Sequence, residues 1–162
     1  MKIRPARTTD APRLSALARA AKRHWGYPDE WLRLWDPELT VTADTIRRQH
    51  VFCAEEGDSI VGFYAVSAAG PAAELEHMWI EPRSFGRGIG SRLLAHALDQ
   101  AATRGIRSLR IASDPNAEGF YVRRGARRIG TVPSTPEGRH LPLLEVAIPR
   151  RNDVEIPRRN DA

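Results

Sequence analysis

Residues 74–100, ELEHMWIEPRSFGRGIGSRLLAHALDQ, decide the fold of this chain. The stretch begins with a period-2 pattern, which predicts a strand with Leu75, His77 and Trp79 on one face and Glu74, Glu76, Met78 and Ile80 on the other. Pro82 ends that strand, and glycines follow at positions 86, 88 and 90. Apolar residues at helical spacing then predict a helix from about Ser91 to Ala102.

The glycine turn between the strand and the helix predicts an anion site. Backbone N–H groups at a helix N-terminus are unpaired, and glycine allows an anion to approach them closely. Arg83, Arg87 and Arg92 add positive charge beside the turn. The phosphate-loop pattern G-x-x-x-x-G-K-[ST] does not occur in the chain, and a dinucleotide G-x-G-x-x-G pattern would have Ser91 as its third glycine.

Further along the chain, the pattern predicts a strand at Ser108–Ala112 and then a short helix between Asn116 and Gly125, capped by Asn116. The helix after the glycine turn would join the two predicted strands as a crossover. These strands should therefore be parallel neighbours. Hairpin signals at 56–58 and 70–71 predict antiparallel strands before them.

These two stretches together resemble the signatures of the GNAT superfamily of acyl-CoA N-acyltransferases. The first signature, (Gln/Arg)-x-x-Gly-x-(Gly/Ala), matches at Gly88-Ile89-Gly90, but Phe85 stands where Gln or Arg is usual. The second, Asn-x-x-(A/G)-x-x-(F/L)-Tyr-x-x-x-Gly-(F/A), matches at Asn116, Tyr121 and Gly125. The resemblance covers about residues 3–147.

The resemblance implies a mixed α/β (α+β) fold. Its sheet would be mostly antiparallel, with a central parallel strand pair splayed around a coenzyme A site and helices on both faces. It implies one acetyltransferase domain over residues 1–148, followed by a polar tail, 149–162, in which the IPRRND sequence of 148–153 recurs at 156–161.

By the same resemblance, the chain would transfer an acetyl group from acetyl-CoA to a primary amine of a small molecule or peptide, by direct attack through a tetrahedral intermediate. The cofactor-binding residues that it implies run along the strand, the turn and the second signature: Met78, Trp79, Ile80, Phe85, Gly86, Arg87, Gly88, Ile89, Gly90, Ser91, Asn116 and Tyr121. The amide of Met78 would stabilise the oxyanion.

Three residues are predicted to be catalytic. Tyr121 would protonate the leaving thiolate, and Glu76 or Glu74 would take the proton of the acceptor ammonium, with Glu76 slightly preferred. The acceptor is expected near Trp25 and Tyr27, with His24 and His77 as further contacts.

Composition sets the remaining expectations. The formal net charge is +5, almost all of the cations are arginine, and this suits an anionic ligand better than a polycationic acceptor. No motif supports nucleic-acid binding, and no apolar run suggests a membrane span. With Cys53 as the single cysteine, we expect a cytoplasmic protein without a metal site, as a monomer or homodimer.

Two other functions fit the same residues. One is a non-catalytic acyl-CoA sensor of the same fold. The other is a Rossmann-type nucleotide module, in which Asp114 would lie about twenty residues beyond the glycines, where such a fold places an acidic residue for the ribose.

Overall fold

The computed structural model describes residues 1–150, in which seven strands form one mixed sheet in the order β1-β2-β3-β4-β5-β7-β6. The strands are β1 (Lys2–Pro5), β2 (His50–Glu56), β3 (Ser59–Ala69), β4 (Ala72–Ile80), β5 (Ser108–Ala112), β6 (Arg127–Pro133) and β7 (His140–Ala147). The helices are α1 (Ala11–His24), α2 (Asp29–Leu39), α3 (Ala43–Arg48), α4 (Ile89–Thr103) and α5 (Glu118–Val122).

The predicted mixed sheet is confirmed. Strand β4 pairs parallel to β5, and every other neighbouring pair in the sheet is antiparallel. Helix α4 makes the crossover between β4 and β5, as the pattern predicted. A Rossmann-type module requires a mainly parallel sheet, so this topology rules that alternative out.

Two apolar cores cover the two faces of the sheet. One contains Leu93 and Leu94 of α4 together with Tyr121 of α5. The other contains Leu14 and Leu17 of α1 together with a partner from α2, Trp35. Helices therefore lie on both faces, which confirms that part of the predicted architecture.

The predicted faces of β4 are wrong, because the pairing of β3 with β4 shifts by one residue. Ala65 pairs with His77 but Val66 pairs with Leu75, so Glu76 is an extra residue in β4. The bulge reverses the alternation. Leu75 and Met78 therefore share the α4 face, as members of the same core.

The opposite face of β4 carries the ionisable side chains. Ser67, which pairs with Glu74, donates a hydrogen bond from Oγ to Oε1 of Glu76 at 2.6 Å. Trp79 packs on the α1 and α2 side, and the His77 ring meets Phe63 of that core. Glu74, Glu76 and His77 thus lie on one side, which corrects the expectation that the glutamates share a face with Met78.

Two helix starts also differ from the prediction. Helix α4 begins at Ile89, two residues before the predicted start at Ser91. The segment after β5 is capped by Asp114, whose carboxylate accepts from the Asn116 N–H, so Asn116 is not the cap. The predicted tail from position 151 onward, including the second IPRRND copy, lies outside the described residues. No helix within residues 1–150 is long and apolar enough to cross a membrane.

Candidate active site

A cavity of about 730 Å³ opens where β4 and β5 diverge. It reaches from the glycine turn, across the second half of β4, to the C-terminal end of α1 and the segment after β5. Many of the predicted cofactor residues line it: Met78, Trp79, Ile80, Phe85, Gly86, Gly88, Ile89, Gly90, Ser91 and Asn116. Glu76, His77 and Trp25 line it as well.

The divergence of the two strands leaves backbone groups of β4 facing the cavity. Pairing between β4 and β5 stops at Glu74. On the other edge of β4, the Glu81 N–H donates to the Val61 carbonyl at 2.8 Å, so these two residues form a hydrogen-bonded pair. Such pairs alternate along an antiparallel ladder, so the N–H and C=O groups of Met78 and Ile80 point away from β3, toward the gap.

The N-terminus of α4 provides a second set of open donors. Gly88 precedes the helix with a φ of 77°, a left-handed conformation that favours glycine, and no side chain caps the helix. The first intrahelical bond runs from the Arg92 N–H to the Gly88 carbonyl, so the amides of Ile89, Gly90 and Ser91 have no partner within the helix. The partial positive charge of the helix start adds to them.

Gly90 leaves room for a neighbouring aromatic ring. A Cβ at this position would lie 3.1 Å from the Phe120 ring and 3.8 Å from Ile80. The short residue therefore lets α5 pack against the start of α4 beside the anion site.

Of the arginines near the turn, Arg124 rather than Arg87 lines the cavity. The Arg87 guanidinium donates to Oε1 of Glu56 at 2.8 Å, and the residue does not line the cavity. Arg124 does line it, with Nε donating to the Ser91 hydroxyl at 2.8 Å and the guanidinium 3.9 Å from the centre of the Phe120 ring. Arg124 therefore brings a positive charge to the N-terminal turn of α4.

Three aromatic residues meet at the mouth of the cavity. Phe85 is the residue that differs from the first signature. Its ring stacks with the ring of Trp25 and meets the His24 ring edge-on, with the Phe85 and His24 centroids 4.8 Å apart. Phe85 and Trp25 are 37% and 40% exposed. His24 and Trp25, which were expected to contact the acceptor, thus contact Phe85, which was expected to contact the cofactor. His24 does not itself line the cavity.

The two candidate bases, Glu76 and Glu74, differ in position: Glu76 is the extra residue of the bulge, and Glu74 pairs with Ser67. Glu76 lines the cavity and is held through Oε1 by Ser67, which leaves Oε2 free of protein hydrogen bonds among the described residues. Glu74 is exposed and does not line the cavity. The geometry thus favours Glu76.

His77 is poorly placed to act as a base, although it lines the cavity. The indole N–H of Trp79 donates to Nδ1 of His77 at 3.0 Å, so the neutral ring carries its proton on Nε2. Burial lowers the pKa of His77. The ring is therefore neutral, and its lone pair is already engaged.

Tyr121 lies behind the cavity lining. It is 6% exposed, and its ring packs edge-on against Phe120 at 5.1 Å. Its hydroxyl makes no hydrogen bond within residues 1–150, while Asn116, Ala117, Gly119 and Phe120 of the same segment line the cavity. Burial raises the pKa of the Tyr121 phenol, so the group stays protonated at neutral pH.

The opposite end of the cavity contains a charged network that sequence analysis missed. Nζ of Lys22 donates to Oδ2 of Asp114 at 2.6 Å, and both side chains are about nine-tenths buried. The Lys22 ammonium also lies 4.5 Å from the Trp35 ring centroid and 4.9 Å from that of Tyr27. Burial lowers the pKa of Lys22, and its ion pair with Asp114 opposes that effect.

Asp114 is the centre of this network. Burial alone would raise its pKa, but the hydrogen bond and charge of Lys22, with donors from Asn116 and Tyr27, lower it overall. Tyr27 does not line the cavity, yet its hydroxyl contacts Asp114, Asn116 and Arg139, all of which do. Tyr27 therefore supports the site from behind.

A signal for Lys22 was present in the sequence. Lys22 is one of two lysines in the chain and follows Leu14 and Ala18 at four-residue steps, which places it on the buried stripe of α1. Arg139 and Asp114 gave no comparable signal, because only the fold brings them to Lys22.

Two further observations limit the chemistry. Cys53 is fully buried in the α1 and α2 core, and burial raises the pKa of its thiol to about 12, which suits a packing residue rather than a nucleophile. Within the described residues, no three His, Cys, Asp or Glu side chains converge in a metal-binding arrangement.

Solved structures share this fold at low sequence identity. PaiA N-acetyltransferase from Thermoplasma acidophilum, in complex with coenzyme A, is 20% identical with a TM-score of 0.77, covering 90% of this chain and 98% of its own. The ribosomal-protein-S18-alanine N-acetyltransferase from Escherichia coli is 19% identical with a TM-score of 0.70, covering 95% and 97%.

A third similar structure is N-acetylglutamate synthase from Neisseria gonorrhoeae, complexed with coenzyme A and N-acetyl-glutamate. It is 24% identical with a TM-score of 0.68, and the match covers 92% of this chain and 35% of that one. No curated protein sequence matches the chain. The family model described as Acetyltransferase (GNAT) family matches residues 13–126, and the chain therefore belongs to that family.

Proposed function

We propose that this protein is an N-acetyltransferase that moves the acetyl group of acetyl-CoA to the primary amine of a small molecule or peptide. The observation that carries the proposal is the gap between β4 and β5. There, the unpaired backbone of Met78 and Ile80 opens into the same cavity as the free amides at the start of α4.

The residues present fit coenzyme A at two separate points. The amides of Ile89, Gly90 and Ser91 suit a diphosphate, and Arg124 adds a cation beside them. The gap-facing N–H and C=O groups of Met78 and Ile80 suit the amide groups of a pantetheine arm. Structures of the same fold crystallised with coenzyme A support this assignment.

Acetyl-CoA would supply an acetyl group activated as a thioester. In the transfer, a bond forms between the amine nitrogen and the acetyl carbon, and the bond from that carbon to sulfur breaks. The nitrogen loses two protons, one from the acceptor ammonium before attack and one from the tetrahedral intermediate, while the departing thiolate takes up one, so that one proton is released overall. The Met78 N–H points toward the gap where negative charge would develop on the acetyl oxygen.

Glu76 is our candidate for the proton acceptor. It lines the cavity, it is held by Ser67, and its Oε2 remains available. An alkyl ammonium has a pKa near that of lysine, about 10.4, so a base is needed at neutral pH. Glu74 is the second candidate.

Tyr121 is our candidate for the proton donor. Its hydroxyl makes no protein hydrogen bond among the described residues and is not one of their fully buried unpaired atoms, so it is open to a ligand sulfur as acceptor. The raised pKa of the phenol keeps its proton in place until the thiolate develops.

The test has two parts, performed on the full chain. Acetyl-CoA and coenzyme A should raise the melting temperature, whereas NADH should not. A library of primary amines should then include acceptors that release free thiol from acetyl-CoA. If acetyl-CoA stabilises the protein but no amine releases thiol, the protein is a non-catalytic sensor, and the proposed function is wrong.

A further inference from the structure

The cavity contains a nearly buried cation that is hydrogen-bonded only to neutral oxygens. Arg139, just before β7, has a side chain that is 13% exposed and lines the cavity. Its Nη1 donates to the Ser134 hydroxyl and its Nη2 to the Tyr27 hydroxyl, both at 3.2 Å. Arginine normally pairs with a carboxylate or phosphate when it is buried.

The nearest carboxylate is already taken. Asp114 lies 3.9 Å from Arg139 but only 2.6 Å from Lys22, and it also accepts hydrogen bonds from Tyr27 and Asn116. Two nearly buried cations thus share one saturated carboxylate. Burying an unmatched charge is costly, so the cavity side of this cluster favours an additional anion.

The other acids along the cavity do not fill this role. Glu38 is exposed and attracts Lys22 only weakly, without an ion pair to Lys22 or Arg139 among the described residues. Glu76 lines the same cavity but likewise forms no ion pair with either cation. A ligand is therefore the natural source of the additional anion.

The position of Arg139 makes a coenzyme A phosphate a poor candidate for that anion. Arg139 stacks on Trp35, 4.6 Å from the ring centroid, and packs near Tyr27 on the α1 and α2 side. The amides and Arg124 that suit a phosphate lie at the start of α4. A flat guanidinium held against an aromatic ring has its remaining N–H groups in one plane, which suits a planar anion such as a carboxylate.

We infer that the acceptor is a small amino carboxylate, whose carboxylate binds Arg139 while its amine faces Glu76. This inference rests on the proposed function, because it names the acceptor class of the same site. Under this inference, polyamines and other amines that carry no carboxylate are not preferred acceptors.

The first experiment compares matched acceptors on the wild-type protein. Each common L-amino acid and β-alanine is assayed beside its amide, with thiol release from acetyl-CoA as the readout. The best acid should exceed its own amide at least tenfold in kcat/KM, mainly through KM. Equal values, or a preference for the amides, would overturn the inference and leave the N-acetyltransferase function intact.

Variants then assign the effect to Arg139. Arg139→Gln should reduce kcat/KM for the acid at least tenfold, while kcat/KM for the amide should change less than threefold. For the acid, the kcat/KM of Arg139→Lys should lie between those of the wild type and Arg139→Gln. Arg110→Gln is the matched control, because Arg110 is half exposed on β5 and pairs with Glu145 at the surface. If Arg139→Gln lowers acid and amide equally, Arg139 is not the carboxylate contact.

A binding measurement separates this inference from the proposed function. With coenzyme A present, the preferred amino acid should raise the melting temperature of the wild type but not of Arg139→Gln. Coenzyme A alone should stabilise both equally, which verifies that the variant is folded. If no amine releases thiol, the proposed N-acetyltransferase function is wrong. The change in melting temperature with added amino acids then still tests whether Arg139 binds a carboxylate.

Discussion

The rings of Trp25 and Phe85 lie face to face, with centroids 6.3 Å apart and an interplanar angle of 23°. Trp25 follows α1, and Phe85 lies in the glycine turn, so the pair joins these two parts of the cavity lining. A ligand bound at the glycine turn would therefore lie near an exposed tryptophan.

This contact predicts a fluorescence signal for cofactor binding. Coenzyme A should change tryptophan emission, because it alters the surroundings of the 40% exposed Trp25 ring. Trp25→Phe keeps an aromatic ring against Phe85 and should remove more than half of the change. A full change in the variant would mean that the signal comes from another tryptophan, such as Trp79.

Charge at the glycine turn should control cofactor affinity. Gly88→Asn and Gly88→Asp share the strain of a φ of 77°, which asparagine and aspartate tolerate better than most residues, and nothing lies within 4 Å of the added Cβ. The two variants differ mainly by one negative charge. Calorimetry should show acetyl-CoA binding at least tenfold weaker in Gly88→Asp than in Gly88→Asn, about 1.4 kcal/mol. Equal affinities would place the diphosphate elsewhere.

Removal of the Tyr121 hydroxyl should slow turnover without loss of the fold. Tyr121→Phe keeps the ring that packs against Phe120, so the melting temperature and acetyl-CoA affinity should change little. We expect kcat to fall by about 10²–10⁴-fold, as is usual when general acid help is lost. Unchanged kcat would show that Tyr121 serves only to pack the α4 core.

Glu76 and Glu74 can be separated by their pH–rate profiles. Wild type should be active well below the pKa of the acceptor amine, whereas Glu76→Gln should become active only as the pH approaches that pKa, because glutamine keeps the Ser67 contact but cannot take a proton. Glu74→Gln is the matched variant on the same strand and should leave the profile in place. If only Glu74→Gln shifts it, the base is Glu74.

The loss of stability in acid should depend on Asp10. The hydrogen bond from Arg4, at 2.8 Å, lowers the pKa of the Asp10 carboxyl, and the Arg7 N–H acts in the same direction. The folded protein therefore binds this proton less tightly than the unfolded chain. The stabilisation is complete above the unfolded pKa, about 3.9, and is lost as the pH falls through the lower folded value.

Asp10→Asn tests this linkage. It should reduce the free energy of unfolding at pH 7 by about 1.5–3 kcal/mol and flatten its decline below about pH 4. Asp44→Asn is the control, because Asp44 is 59% exposed and should have little effect. Urea unfolding at a series of pH values measures both. An unchanged acid slope in Asp10→Asn would contradict the assignment.

Much of the fold could be predicted because its signals are local. The alternation before Pro82 and the spacing of Leu93 and Leu94 depend only on neighbouring residues, and so do the glycine turns. The parallel pairing of β4 with β5 then follows from the crossover rule.

The missed parts depend on contacts between distant segments. Lys22, Asp114 and Arg139 are far apart in the chain, and nothing in their local sequence indicates that they meet. Arg124 displaced Arg87 as the cation at the turn because Glu56, on the β2–β3 hairpin, pairs with Arg87. The bulge was missed because Met78, Trp79 and Ile80 are all apolar, so the end of the strand fits a period-2 pattern in either phase.

The extra residue at Glu76 also determines which changes of length β4 can accept. A deletion at Glu76 would restore regular pairing and leave the other side chains of the strand on their present faces. Leu75, Met78 and Ile80 would stay on the α4 side, and Trp79 would stay on the α1 and α2 side. The sheet can therefore accept the loss of residue 76, but an aligned relative that lacks it would have no carboxylate at this place in the cavity lining.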